Sequence, residues 1–123
     1  VYYNGSTWAD LYGSSDSLSG HIVTPIAMDY TLILYTTEAF TITKLSAVAG
    51  TGSCTIGLSV NEVAPGKTQA VAQTLVHLAD FDSGTGGNQN LAVAADKKLE
   101  LVVTSVSTCL DLQFTIAITK ATL

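Results

Sequence analysis

The stretch Leu110-Asp111-Leu112-Gln113-Phe114-Thr115-Ile116-Ala117-Ile118-Thr119 carries large apolar residues at every second position, with mostly polar residues between them. A period of two belongs to an extended strand with one face buried and the other in water, whereas a helix needs a period of 3.6. Cys54-Thr55-Ile56-Gly57-Leu58-Ser59-Val60 repeats the pattern, with Cys54 in phase with the apolar face. Comparable strand signals, rich in Val and Thr, cover residues 31–36, 39–49, 69–78, 90–94 and 99–106. A bulge is expected near Lys44-Leu45, where the alternation slips. Residues 69–79 also admit a helical reading, because Val71, Leu75 and Leu78 suit helical spacing. Turns are expected at Ala49-Gly50-Thr51-Gly52, at Ala64-Pro65-Gly66-Lys67, over residues 83–90 and at Ala95-Asp96-Lys97-Lys98. Short strands separated in this way predict an all-β fold, an antiparallel, jelly-roll-like β-sandwich over residues 20–123.

The first twenty residues differ. Tyr2-Tyr3-Asn4-Gly5-Ser6-Thr7-Trp8 sets Asn-Gly, the favoured pair of a type I′ turn, between aromatic residues, which predicts a short β-hairpin. Residues 14–20 then read as a polar linker, so 1–19 form a hairpin-and-linker segment ahead of the sandwich. The start, Val1-Tyr2-Tyr3, shows neither an initiator Met nor the basic-then-apolar pattern of a signal peptide, and suggests a piece of something longer.

Composition narrows the function. The chain has 123 residues, enough for one core, and its 47% hydrophobic and 12% charged content is that of a folded domain rather than a disordered one. Ten acidic residues stand against five lysines, with no arginine, for a net charge of −5. That balance repels phosphate backbones and lacks a bidentate reader of guanine or carboxylate, so neither nucleic acid nor an anionic sugar is an expected partner. Neutral sugars stay open. No apolar run is long enough to cross a membrane; residues 28–34 are too few and are interrupted by Asp29.

The motifs that could carry chemistry are weak. Ala64-Pro65-Gly66-Lys67-Thr68 is superficially a phosphate-binding loop, but Asn61 stands where its first glycine belongs and Pro65 removes an amide from the cradle. Asp80-Phe81-Asp82-Ser83-Gly84 opens like a calcium loop, yet Gly84 and Leu91 occupy ligand positions, which leaves a solvated loop. A serine with His77 and Asp80 could form a hydrolytic triad only by convergence in space, since no Gly-x-Ser-x-Gly elbow is present. His21 opens a strand and has no acidic neighbour in sequence. Acids sit almost entirely in turns, so a glycosidase pair is not indicated. No catalytic residue, metal or cofactor is expected. The chain reads as a non-enzymatic binding or structural domain.

Several segments resemble a known family. Ile42-Thr43-Lys44-Leu45, Gly52-Ser53-Cys54-Thr55, Leu58-Ser59-Val60-Asn61, Asn90-Leu91-Ala92-Val93-Ala94 and Cys109-Leu110-Asp111-Leu112-Gln113-Phe114-Thr115-Ile116 look like a small β-domain of tailed-bacteriophage tail or collar fibres and other virion structural proteins. The likeness spans about residues 39–120 and departs at Ala94-Ala95-Asp96-Lys97-Lys98, where the family has a Gly-Asp turn. The Tyr-Asn-Gly-Ser-Thr-Trp segment also resembles units at the ends of phage fibre shafts. The resemblance implies a virion component assembled in the host cytoplasm, commonly a homotrimer. It would contact other virion proteins and, as a tail-fibre or tail-tip domain, a host cell-surface glycan or protein. The alternatives are a purely structural virion domain and a carbohydrate-binding module of a secreted protein.

Within that frame Tyr2, Tyr3, Trp8, Leu11 and Tyr12 are candidate trimer contacts, because so short a segment cannot bury them alone. Recognition is expected in the loops at 49–53, 63–67 and 80–90, with Asp80, Asp82, Asn88 and Asn90 as candidates. Cys54 and Cys109 are a candidate disulfide, with two buried thiols as the alternative, and neither sits in a Cys-x-x-Cys motif. Each is read as beginning an alternating strand. Cys109 is out of phase with Leu110 and Leu112, so a bond requires it to lie in a turn or at a bulge.

Overall fold

The computed structural model of the chain describes residues 2–3, 8–9, 17–63, 67–81 and 90–120. The elements are β1 (Tyr2–Tyr3), β2 (Trp8–Ala9), β3 (Ser17–Ile22), β4 (Met28–Ile33), β5 (Phe40–Val60), β6 (Thr68–Val71), β7 (Val76–Leu78), β8 (Leu91–Val93) and β9 (Leu99–Lys120). The fold is all-β, two antiparallel sheets packed face to face, as the alternation predicts. A jelly roll uses eight separate strands, but here two strands of 21 and 22 residues serve both sheets.

Those two long strands, β5 and β9, pair antiparallel from Phe40↔Lys120 to Val60↔Leu99. β3 and then β4 run along the outer edge of β9, opposite Leu112–Ala117 and Leu99–Val103. β6, β7 and β8 run along the outer edge of β5. The molecule is thus a ribbon of four lanes, β3/β4, β9, β5 and β6/β7/β8, bent across its middle. One half makes the first sheet, from β3, the C-terminal half of β9, the N-terminal half of β5, and β7 with β8. The other half makes the second, from β4, the N-terminal half of β9, the C-terminal half of β5, and β6.

The bend explains why the turn expected at 49–52 proves to be continuous strand. Register slips between Thr51 and Ser53 and between Ser53 and Thr55, and Gly52, Ser105, Thr108 and Asp111 all take positive φ. Extra residues on one strand of a pair kink it and sharpen its twist, so Ala49-Gly50-Thr51-Gly52 turns the ribbon without ending the strand. A Cβ on Gly52, whose φ is 68°, would lie 2.2 Å from the Thr108 carbonyl oxygen, so only glycine fits. Gln73 caps the bend, donating from Nε2 to the Gly52 carbonyl at 2.7 Å. The bulge expected near Lys44-Leu45 is present as a register shift between Ile42 and Lys44.

Opposite the bend, residues 34–39 and 94–98 each carry the chain from one sheet to the other, side by side. Thr36, only 2% exposed, ties them together. Its N–H donates to the Lys97 carbonyl and its carbonyl accepts from the Asp96 N–H; its Oγ1 donates to the Ala94 carbonyl and accepts from the Lys97 N–H, all within 2.8 Å. The Tyr35 hydroxyl bonds Asp96 in the same crossing, which raises its pKa.

Between the sheets lie Leu18, Ile22, Leu45, Ala47, Leu112, Phe114 and Ile116 from one side, and Tyr30, Leu32, Ile56, Leu58, Leu99, Leu101 and Val103 from the other. Phe81 is buried with them. Other expectations are corrected in detail. Residues 69–79 form β6 and β7 rather than a helix or one unbroken strand. Residues 17–20, read as linker, are the first part of β3, whose serines at 17 and 19 alternate with the inward Leu18. The first turn after β5 is at Asn61-Glu62, both at positive φ between mutually bonded Val60 and Val63, as a two-residue type I′ hairpin requires. Leu110 is exposed, because the bulge between Ser107 and Leu110 and the positive φ of Asp111 break its phase with Leu112. β1 and β2 pair antiparallel, Tyr3 opposite Trp8, as a hairpin does, and Tyr3 pairs parallel with Ile22 of β3.

Candidate functional site

Polar residues fall on the solvent side of the first sheet because they alternate with its core residues, and cross-strand register brings them into rows. Ser46 of β5 lies opposite His77 of β7 on one side and Thr115 of β9 on the other; Thr115 lies opposite Ser19 of β3. Ser19 and Thr115 share a hydrogen bond of 2.9 Å, and Ser46 and His77 one of 2.6 Å between Oγ and Nδ1. One step towards the bend, Val48, Gln113 and His21 form the next row, and Gly50 and Asp111 follow them. Ser19, His21, Ser46, Val48, Leu75, Gln113 and Thr115 line an open groove of about 510 Å³.

At the bend end of this groove His21 Nε2 stands 3.1 Å from Asp111 Oδ1. The acidic neighbour that His21 lacks in sequence is supplied by β9, 90 residues away, and His21 falls near the end of its strand rather than opening it. Asp111 Oδ2 lies over Gly50, 3.4 Å from where a Cβ would be, and has no hydrogen-bond partner among the described residues. Nor does the exposed Gln113 amide have one. Leu75, 57% exposed, and the half-buried Val48 add an apolar strip.

Ser46 and His77 are placed like a nucleophile and its base. A base needs a third group to fix its ring, and among the described residues Ser46 is the only hydrogen-bond partner of the His77 side chain. Asp80, the third member weighed from sequence, is 4.0 Å from Lys67 instead.

The second sheet carries a different cluster. Carboxylate oxygens of Asp29, Glu62 and Glu100 lie within 4.8 Å of one another. Lys98 Nζ bonds Glu62 and lies 3.6 Å from Glu100, and Ser59 Oγ donates to Glu100 at 3.3 Å. The bond to Glu62 is the main cause that raises the Lys98 pKa. Lys98 supplies the cation that three gathered carboxylates require, so the cluster reads as an ion-pair network joining β4, β9 and the 61–62 turn.

Cys54 and Cys109 are both buried and stand as free thiols at the bend. Burial, reinforced by the charge of Cys109 and a hydrogen bond to it, pushes the Cys54 thiol up to about 12. Cys109 sits in the bulge between Ser107 and Leu110. Both cysteines lie within long strands rather than at strand starts. Residues 55–60 pair with 99–104, and 110–119 with the other half of β5, so the segments that follow the two cysteines belong to opposite sheets.

The other sequence candidates are dispersed. Residues 49–53 lie within β5, not in a loop. Asn90 is exposed just before β8, and Asp80 is half-buried. Asp82, Asn88, Leu11 and Tyr12 lie outside the described residues, as do the side chains of Tyr2, Tyr3 and Trp8. No protein-family model, curated protein or solved structure matches the chain.

Proposed function

We propose that the chain is a non-enzymatic recognition domain of a bacteriophage virion, a tail-fibre or tail-tip module that meets the bacterial surface through the outer face of its first sheet. The observation that carries the recognition role is the groove itself: rows of hydroxyl, imidazole and carboxamide groups held on rigid paired strands, with the Asp111 carboxylate at one end and an exposed leucine beside them. Binding faces combine a few placed polar groups with apolar surface in this way. The virion setting rests on the resemblance of residues 39–120. A purely structural virion role is the alternative, and it leaves the exposed Gln113 amide and Asp111 Oδ2 without a task. Labelled protein should bind bacterial cells saturably, and Gln113→Ala should weaken that binding at least tenfold without altering the melting temperature. Stoichiometric capture by virion proteins with no cell binding would favour the structural role.

A further inference from the structure

Resting on that reading, we infer that the groove of the first sheet binds an uncharged saccharide, with Asp111 and Gln113 as the residues that read its hydroxyl groups. Three features of the site select this ligand class.

The first is the polar inventory. Asp111 and Gln113 are two apart on one face of β9, so their side chains project about 7 Å apart along the strand. That separation suits hydroxyl groups on the two sides of one pyranose ring. A carboxylate accepts two hydroxyl protons, and a carboxamide both accepts and donates. His21 holds Asp111 Oδ1 at 3.1 Å and leaves Oδ2 over the bare backbone of Gly50, where nothing among the described residues competes for it.

The second feature is charge. The Asp111 carboxylate stands at the bend end of the groove, beside His21, and the chain has a net charge of −5 with no arginine. An anionic ligand would meet repulsion with no guanidinium to offset it. A hydrophobic peptide would have to cover Gln113 and Asp111 Oδ2 without satisfying them, which costs about 1–3 kcal/mol for each polar group stripped of water.

The third is shape. The groove is open and shallow, crossing the lanes from Ser46 to Ser19, with Leu75 and Val48 beside the polar rows. A sugar ring presents hydroxyls at its edge and C–H groups on its face, and this floor offers partners for both. A flat, solvent-open site gives weak single contacts, with dissociation constants on the order of 1 mM, which repetition in an oligomer would strengthen.

The test uses the whole chain and a panel of bacterial cells, before and after periodate, which cleaves the vicinal diols of surface saccharides. Saturable binding should fall at least tenfold after periodate. Uncharged gluco-, galacto-, manno- and N-acetylglucosamine oligomers should compete for it, and oligogalacturonate should not. Gln113→Ala and Asp111→Gly should each weaken binding at least tenfold, with melting temperatures showing that both variants fold; glycine accepts the positive φ of residue 111. Binding that survives periodate, or that only the acidic oligomer competes away, overturns the saccharide and leaves surface recognition standing. Undiminished binding by both variants moves the site off this groove. Failure to bind any cell in the panel overturns the recognition reading itself.

Discussion

Gly52 and the two cysteines share one place in the molecule, and its crowding sets what each can tolerate. Gly52→Ala puts a methyl 2.2 Å from a backbone oxygen at a φ of 68°. The left-handed backbone alone costs about 1–3 kcal/mol in a residue with a Cβ, so the variant should lose about 3 kcal/mol or more in denaturant unfolding. Cys54 brings a pH dependence. In the reduced protein its thiol ionises near 12, against 9.0 when unperturbed. Below the lower value both states keep the proton and the contribution is whole; above it the unfolded chain ionises first, and stability falls until the folded thiol titrates. The melting temperature should therefore decline from pH 8 to pH 11, and Cys54→Ala should flatten that limb. On the virion reading proposed above, we expect the same pair to be bonded in the mature particle, where closing so long a loop adds about 4 kcal/mol in the chain-entropy account. If the chain is assembled in a reducing cytosol, as the proposed virion setting implies, the bond forms only after assembly. Two reactive thiols per chain, on labelling denatured and unreduced protein from particles, would refute it.

At the scale of elements, the two crossings opposite the bend act as a clasp, and Thr36 is its pin. Thr36→Val keeps the shape of the side chain but leaves the Ala94 carbonyl and the Lys97 N–H without their partner. A buried polar group left unpaired costs about 1–3 kcal/mol, so this variant should lose about 2–4 kcal/mol in chemical denaturation, while Thr36→Ser stays within about 1 kcal/mol. Nothing around Leu34-Tyr35-Thr36 marks this in the sequence, where the apolar run reads as strand. The two halves of each long strand were legible, because alternation is local and Ile56 and Leu58, or Leu112 and Phe114, announce their own inward face. Continuity through the bend was not. Gly50 and Gly52 look like a turn, and the positive φ of Ser105, Thr108 and Asp111 has no compositional signature. The groove was half legible: each strand shows its polar face, but the His21–Asp111 and Ser46–His77 pairs come from lane order, which depends on contacts far apart in the chain. Read from the sequence alone, recognition goes to the loops, because the polar rows of the groove exist only once the strands lie side by side.

At the scale of the whole molecule, the folded ribbon carries its groove on the first sheet, and the resemblance to fibre proteins implies, as a proposal, a threefold assembly through the first dozen residues. Light scattering should give a trimer at micromolar concentration, and deletion of residues 1–13 should leave a folded protein that is monomeric or weakly associated. A monomer with the segment intact would end that assignment. Tyr3 pairs with Ile22, so β1 lies beside the bend end of β3. The groove spreads from the bend across the first sheet, so neighbouring copies held together there would carry their grooves close to one another.

The order of the lanes also bears on how the chain is made. β9 lies between β3/β4 and β5, yet it is the last of them to leave the ribosome. Until it does, the earlier lanes have no common partner, and each exposes an unpaired edge and an uncovered apolar face. Synthesis runs at about 5–20 residues per second, so the nascent chain passes several seconds as two half-built margins awaiting the strip that joins them. A ribosome that stalls, or a message cut short, before residue 99 yields an adhesive fragment rather than a smaller working domain. The strip that joins the two margins is the last to be made.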